Sequence, residues 1–159
     1  MRPRFSLQDV EQAWEKIDPV FLESPQFECE PLSEILGAKI LLKVETLNPI
    51  RSFKGRGADL LVQQYHSPLV CASAGNFGQA IAYSARKRGL PVTVFASVQA
   101  NEYKVARMRA LGADVYLRGD DFDEAKEEAR QWALTNNHRF VEDSCDVETA
   151  IGAGTIGLE

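Results

Sequence analysis

The 159-residue sequence has only three cysteines, at positions 29, 71 and 145, and no C-x-x-C pair. That excludes a disulfide framework and a zinc site, so no bound metal is expected, and a reducing, cytoplasmic setting suits the thiols. A positive balance is also missing. Eighteen Lys and Arg stand against 23 Asp and Glu, for a net charge of −5, which argues against a nucleic-acid binder. The one basic triplet, Arg86 to Arg88, falls where a helix should end and suits the negative end of the helix dipole. No apolar run approaches a membrane span, and the first twelve residues turn polar too soon for a signal peptide, so no membrane partner is expected. There is no low-complexity segment. The two histidines read as surface residues, His66 before a Ser-Pro turn and His138 within Asn-Asn-His-Arg.

What is present is an ordinary globular composition, 45% hydrophobic and 26% charged, with regular punctuation. Ser6 with Asp9 predicts a helix start, and Leu7, Val10, Trp14 and Ile17 form its apolar stripe up to Asp18-Pro19. Pro31 to Gly37 predicts a short helix closed by the glycine, Lys39 to Glu45 a strand, and Thr46 to Ser52 a loop. From Leu69 onward, apolar runs begin at Leu69, Val92, Asp114 and Arg139, spaced 23, 22 and 25 residues apart. Helical stretches lie between them. The first carries Phe77, Ala80, Ile81, Ser84 and Ala85 on one face, and the last carries Phe122, Ala125, Ala129, Trp132 and Ala133. This is the spacing of an α/β fold with a parallel four-stranded sheet flanked by helices. Sites in such sheets gather at the carboxyl ends of strands.

Two loops stand out. In "NPIRSFKGRGA", Ser52 is a candidate N-cap, which leaves Phe53 and Lys54 to open a helix. A cation is disfavoured there, yet Arg51, Lys54 and Arg56 crowd the turn with no acid before Asp59. An exposed cationic turn or an anion site is the plainer account of such a run. The sharper one is that the dipole and the guanidinium groups destabilise the ammonium of Lys54 and expose a neutral amine, as Schiff-base chemistry requires, with Phe53 offering a flat apolar face beside it. In "CASAGNFGQA", a strand turns directly into a helix through Ser73, Ala74, Gly75 and Asn76. Small residues let a ligand approach the backbone, and unpaired N–H groups there can bind a carboxylate without a basic side chain. Asn76 as a simple N-cap is the alternative. A reactive amine facing an anion-binding nest suits an amino-acid enzyme that uses an aldehyde cofactor.

The pair "SFKGRGA" and "ASAGNFGQA" resembles the pyridoxal-phosphate enzymes of fold type II, in particular the threonine/serine dehydratase (ammonia-lyase) branch. The resemblance runs from about Ile40 to Glu159, through "LLKVE", "FDEAKEEA" and "GAGTIGLE". It implies a tryptophan synthase beta-like fold, pyridoxal 5'-phosphate as cofactor and a small amino-acid substrate in a homo-oligomer. It also implies that Lys54 bonds the cofactor covalently and moves protons at Cα. Phe53 would pack on the cofactor and Asn76 would hydrogen-bond the 3-oxygen of its ring. Ser73, Gly75, Asn76 and Phe77 would bind the substrate carboxylate, largely through backbone N–H groups. The product would be a 2-oxo acid with release of ammonia. Three positions depart from the family pattern. Phe77 stands where many members have histidine, Glu30 where threonine usually precedes Pro31 and Leu32, and Ala74 where serine racemases carry a hydroxyl. The loss of that hydroxyl favours elimination over racemisation. Threonine synthase and cysteine synthase are neighbouring alternatives, although those usually show an acid where this chain has Gly55. A non-catalytic ligand-binding module on the same fold is a third.

Gly152, Gly154 and Gly157 spell the dinucleotide fingerprint G-x-G-x-x-G. The context does not suit it, because "DSCDVETAI" separates them from the preceding strand and no acid follows about twenty residues on. By resemblance, residues 1–66 begin a larger cofactor-binding α/β domain, 67–145 form a small α/β domain, and 146–159 cross back toward the larger one. The family's phosphate-binding glycine loop has no counterpart here. The sequence therefore predicts weak cofactor binding, negligible turnover and self-association by this chain alone, with Trp14, Ile17, Leu41, Ile151, Ile156 and Leu158 exposed for want of a partner.

Overall fold

The computed structural model describes residues 5–159. Helix α1 (Leu7–Trp14) opens with a reciprocal cap, as expected. The Asp9 N–H donates to Ser6 Oγ at 3.3 Å, and the Asp9 carboxylate accepts from the Ser6 N–H at 2.7 Å. Val10, Ala13 and Ile17 are buried, whereas Leu7 in the first turn is exposed. A 3₁₀ turn (Pro19–Phe21) leads to β1 (Gln26–Glu28), α2 (Glu30–Leu36) and β2 (Leu41–Lys43). Gly37 closes α2 at φ +62°, a left-handed conformation that costs glycine nothing. Strands β1 and β2 pair antiparallel, with Phe27 opposite Leu42.

The rest is an α/β unit: α3 (Lys54–Val62), β3 (Leu69–Ala72), α4 (Asn76–Lys87), β4 (Val92–Ala96), α5 (Glu102–Ala110), β5 (Asp114–Leu117), α6 (Phe122–Thr135) and β6 (Arg139–Phe140). The four strands are parallel in the order β5-β4-β3-β6 and begin where the spacing placed them. Alternation along β3 divides the core. Leu69 and Cys71 pack with Leu61 and Ile81 of α3 and α4, while Val70 and Ala72 face Ala129 and Ala133 of α6. The whole expected face of α4 is buried. On α6 the alanines are buried but Phe122 is exposed. The Arg86–Arg88 triplet does end α4, and Arg88 also pairs with buried Asp59 at 2.8 Å. His138 is not the surface residue expected: it is half-buried, edge-on to Trp132 with ring centroids 4.8 Å apart.

Helix α7 (Val147–Gly154), with a 3₁₀ turn at Thr155–Leu158, lies across α3. The backbones nearly touch. A Cβ on Gly57 would sit 2.5 Å from the Thr149 carbonyl oxygen, and one on Gly152 2.5 Å from Gly57 Cα. Gly154 meets Val10, and Gly157 faces open space. In this structure, Gly152 and Gly154 of the fingerprint-like run serve helix packing. The packing also corrects the expectation of unburied ends. Ile17 is only 2% exposed, Ile151 and Ile156 are half-buried, and Thr149, Gly152 and Thr155 are buried, because α1 and α3 supply the partner surface. Trp14 is half-buried, and only Leu41 and Leu158 of the group are exposed. No helix among the described residues is long and apolar enough to cross a membrane.

Candidate active site

Asn48 shapes the turn before α3. Its Oδ1 accepts from the N–H groups of Ile50 (3.2 Å) and Ser52 (3.3 Å), and its Nδ2 donates to the carbonyls of Glu45 and Ser52 at 3.0 Å. Arg51 takes a left-handed φ of +56°. Ser52 Oγ accepts from the Lys54 N–H at 3.3 Å, although Phe53, already helical, occupies the cap position itself. Lys54 thus opens α3 as predicted, with its side chain partly exposed and the half-exposed Phe53 ring 5.1 Å from Nζ.

The electrostatic surroundings of Lys54 differ from those expected. Residues two apart on a helix point to opposite sides, and Arg56 is turned into the core, with no exposed surface. Its guanidinium donates to Glu45 at 2.8 and 3.1 Å, to Glu159 at 2.6 Å and to Thr155 Oγ1 at 3.1 Å. Lys43 also pairs with Glu159. Despite burial, the charged bonds to Arg56 and Lys43 hold the Glu159 carboxyl at about 2. In place of the Arg56 guanidinium, Lys54 meets a carboxylate: both oxygens of Asp143 lie on Nζ, at 2.7 and 3.0 Å.

Asp143 stands in the loop after β6, and that loop is tightly held. The Glu142 N–H donates to Asp146 Oδ2 at 2.7 Å, and the Ser144 N–H to Thr149 Oγ1 at 3.2 Å, with Ser144 left-handed at φ +66°. The Glu142 carboxylate is clamped between Lys126 (2.8 Å) and Arg130 (2.7 Å), and these bonds keep its carboxyl below the usual range. Strands β3 and β6 are neighbours, so this loop lies beside the one that follows β3. Cys71 at the end of β3 registers the proximity. Burial, with the Asp143 charge adding to it, pushes its thiol up to about 12, which makes it inert.

In the loop after β3, Ser73 is buried and its Oγ accepts from the N–H groups of Gly75 (3.1 Å) and Gly78 (2.9 Å). Ser73 therefore folds the nest. Gly78 permits this, since a Cβ there would lie 2.6 Å from Met108 Sδ. Gly75, not Asn76, occupies the N-cap position of α4, and no side chain caps it. Among the described residues nothing accepts from the N–H groups of Asn76 or Phe77. Ala74 and Asn76 are exposed, whereas the Phe77 ring is in the core. Phe77 thus presents only its backbone. The Lys104 ammonium lies over Gly75, 3.5 Å from where a Cβ would be. The sequence reading missed Asp143 and Lys104. The acid-rich run after the fourth strand, "EDSCD", was the available signal for the first, because it occupies the carboxyl end of a strand.

Residues 17–159 match the model of the pyridoxal-phosphate dependent enzyme family. The chain belongs to that family. It is 36% identical over 159 residues to an L-threonine ammonia-lyase of Thermotoga maritima, an alignment that covers 97% of this chain and 40% of the relative. Among solved structures, threonine deaminase isoform 2 from Solanum lycopersicum superposes with a TM-score of 0.84 at 29% identity, covering 97% of this chain and 45% of that one. A pyridoxal 5'-phosphate-dependent aspartate racemase superposes with a TM-score of 0.92 at 25% identity, covering 99% and 51%. The fold is that of fold type II, and the family's cofactor is pyridoxal 5'-phosphate. The residues present suit that group: an amine at the mouth of a helix, an exposed phenyl ring beside it, and a nest of free N–H groups at the end of the adjacent strand. The chain spans about half or less of the length of each of these relatives.

Proposed function

We propose that this site serves the elimination of ammonia from L-threonine or L-serine to give 2-oxo acids, as part of a pyridoxal-phosphate-dependent enzyme. The observation that carries the reading is the combination of a partly exposed lysine at the start of α3 with a nest of free backbone N–H groups at the start of α4. Lys54 would hold the cofactor through its amine, and that amine would also move the proton at the substrate Cα. Phe53 would pack against the cofactor ring, and Asn76, whose amide has no hydrogen-bond partner among the described residues, would bond the ring's 3-oxygen. The free N–H groups of Asn76 and Phe77 take the substrate carboxylate, in a turn that Ser73 and Gly75 shape. When bound, the cofactor supplies an electron sink for the bond broken at Cα. On this reading residues 1–66 belong to the larger domain, 67–145 are the small domain and 146–159 return to the larger one. The protein works in the cytoplasm as a homo-oligomer.

Racemisation is the competing outcome, favoured by the likeness to an aspartate racemase. Ala74 opposes it, for this exposed position at the nest carries no hydroxyl to deliver a proton to the opposite face of Cα. Incubating concentrated protein with pyridoxal 5'-phosphate and L-serine, then separating products by chiral chromatography, decides between them. The ratio of products is read, not the rate. Pyruvate with ammonia is expected; D-serine as the main product overturns the reading.

A further inference from the structure

Lys54 is not simply an amine awaiting a ligand. The carboxylate that grips it comes from 89 residues further along the chain and engages it with both oxygens. The two segments that meet here are both conformationally constrained: Arg51 before Lys54 and Ser144 after Asp143 are left-handed, a costly state for residues other than glycine. The Asp143 loop is braced on one side by Thr149 and on the other by the Lys126–Glu142–Arg130 clamp. Neither Lys54 nor Asp143 is fully buried, with side chains 28% and 32% exposed, so the pair faces solvent where a ligand arrives.

We infer that Asp143 is a positioning residue for Lys54: its carboxylate holds Nζ at the mouth of the site as a paired ammonium and restrains the amine until an incoming ligand takes over that contact. When the pair opens, one of the three protons on the ammonium passes to solvent. The other two leave with the aldehyde oxygen as water when a C=N bond replaces the C=O bond. Nothing is oxidised or reduced. The inference rests on the reading of Lys54 as the cofactor's lysine, and its test is chosen to be separable from that reading.

Competitive acylation with limiting acetic anhydride, followed by peptide mass spectrometry, reports the reactivity of each lysine, with exposed Lys16 as internal reference. In Asp143→Asn, Lys54 should acylate about fivefold faster relative to Lys16, the size of effect that a partly exposed ion pair supports. Asp143→Glu, which keeps the carboxylate, should return it toward the original ratio. Thermal unfolding should be unchanged in both variants, since a merely structural role would shift it without selecting Lys54. Unchanged or slower Lys54 acylation in Asp143→Asn overturns the inference, whatever the cofactor does. Faster acylation with no pyridoxyl label on Lys54 after borohydride reduction instead overturns the cofactor reading and leaves the ion pair's hold on the amine standing.

Discussion

The four-stranded unit and the β1–α2–β2 segment are made of similarly apolar residues and end up in opposite conditions. In the sheet unit every residue of β4 is buried, and α4 buries eight residues. In the smaller segment α2 buries none, and Phe27, Ile35, Leu36 and Leu41 are all more than half exposed. Hydrophobic content therefore does not locate stability in this chain; two-sided cover does. Helices α3 and α4 cover one face of β3 and α6 the other, whereas among the described residues no helix packs broadly on the β1–β2 ladder. What ties the segment to the rest is polar: Arg56 of α3 reaches Glu45 just beyond β2, and Lys43 of β2 reaches Glu159, which in turn holds the Ser24 N–H at 3.0 Å.

That contrast is open to direct attack. The largest effect is expected from Gly152→Val, whose side chain meets the Gly57 backbone at a distance no Cβ tolerates. It should lift α7 off α3, cost more than about 3 kcal/mol, and show as loss of the cooperative urea transition. Arg56→Ala leaves the Glu45 carboxylate without a cation and Glu159 with Lys43 alone. A cost of about 3–5 kcal/mol is expected, with hydrogen exchange rising first in β1 and β2 and only later in the sheet. The same clasp should respond to acid. The Glu159 carboxyl titrates at about 2 when folded, against an ordinary 4.5. Its contribution, about 3 kcal/mol, is complete above pH 4.5 and is lost as pH falls toward 2, so the urea midpoint should drop over that interval and Glu159→Gln should flatten the fall. Last comes a matched pair: Ile81→Ala in the sheet unit should cost about 2–5 kcal/mol, and Ile35→Ala on α2 less than about 0.5 kcal/mol. Equal costs would dissolve the distinction between the two regions.

The same contrast explains what the sequence made legible. The sheet strands repeat at a near-constant spacing and α4 carries a clean apolar face, so local pattern and tertiary burial agree. Strand β1 is three residues, too short to show a period, and exists because β2 offers it an edge. At the site, Lys54 and the Ser73–Asn76 turn were visible because each breaks a local rule: a cation at a helix start, and a strand running into a helix with no charged residue. Arg56 misled because proximity in sequence is not proximity on a helix. Asp143 was hidden because only the sheet order, with β6 beside β3, brings its loop to Lys54. The glycines of "GAGTIG" match a dinucleotide motif letter by letter. Their role becomes visible only where Gly152 crosses Gly57.

The central claim is that Lys54 is the lysine that bonds the cofactor, and one measurement addresses it without any turnover. The protein is mixed with excess pyridoxal 5'-phosphate, reduced with borohydride, digested and mapped by mass spectrometry. The account predicts a pyridoxyl group on Lys54, blocked by Lys54→Ala and leaving the other lysines at background. A label concentrated on Lys43 or Lys104, with Lys54 unmodified, would contradict it.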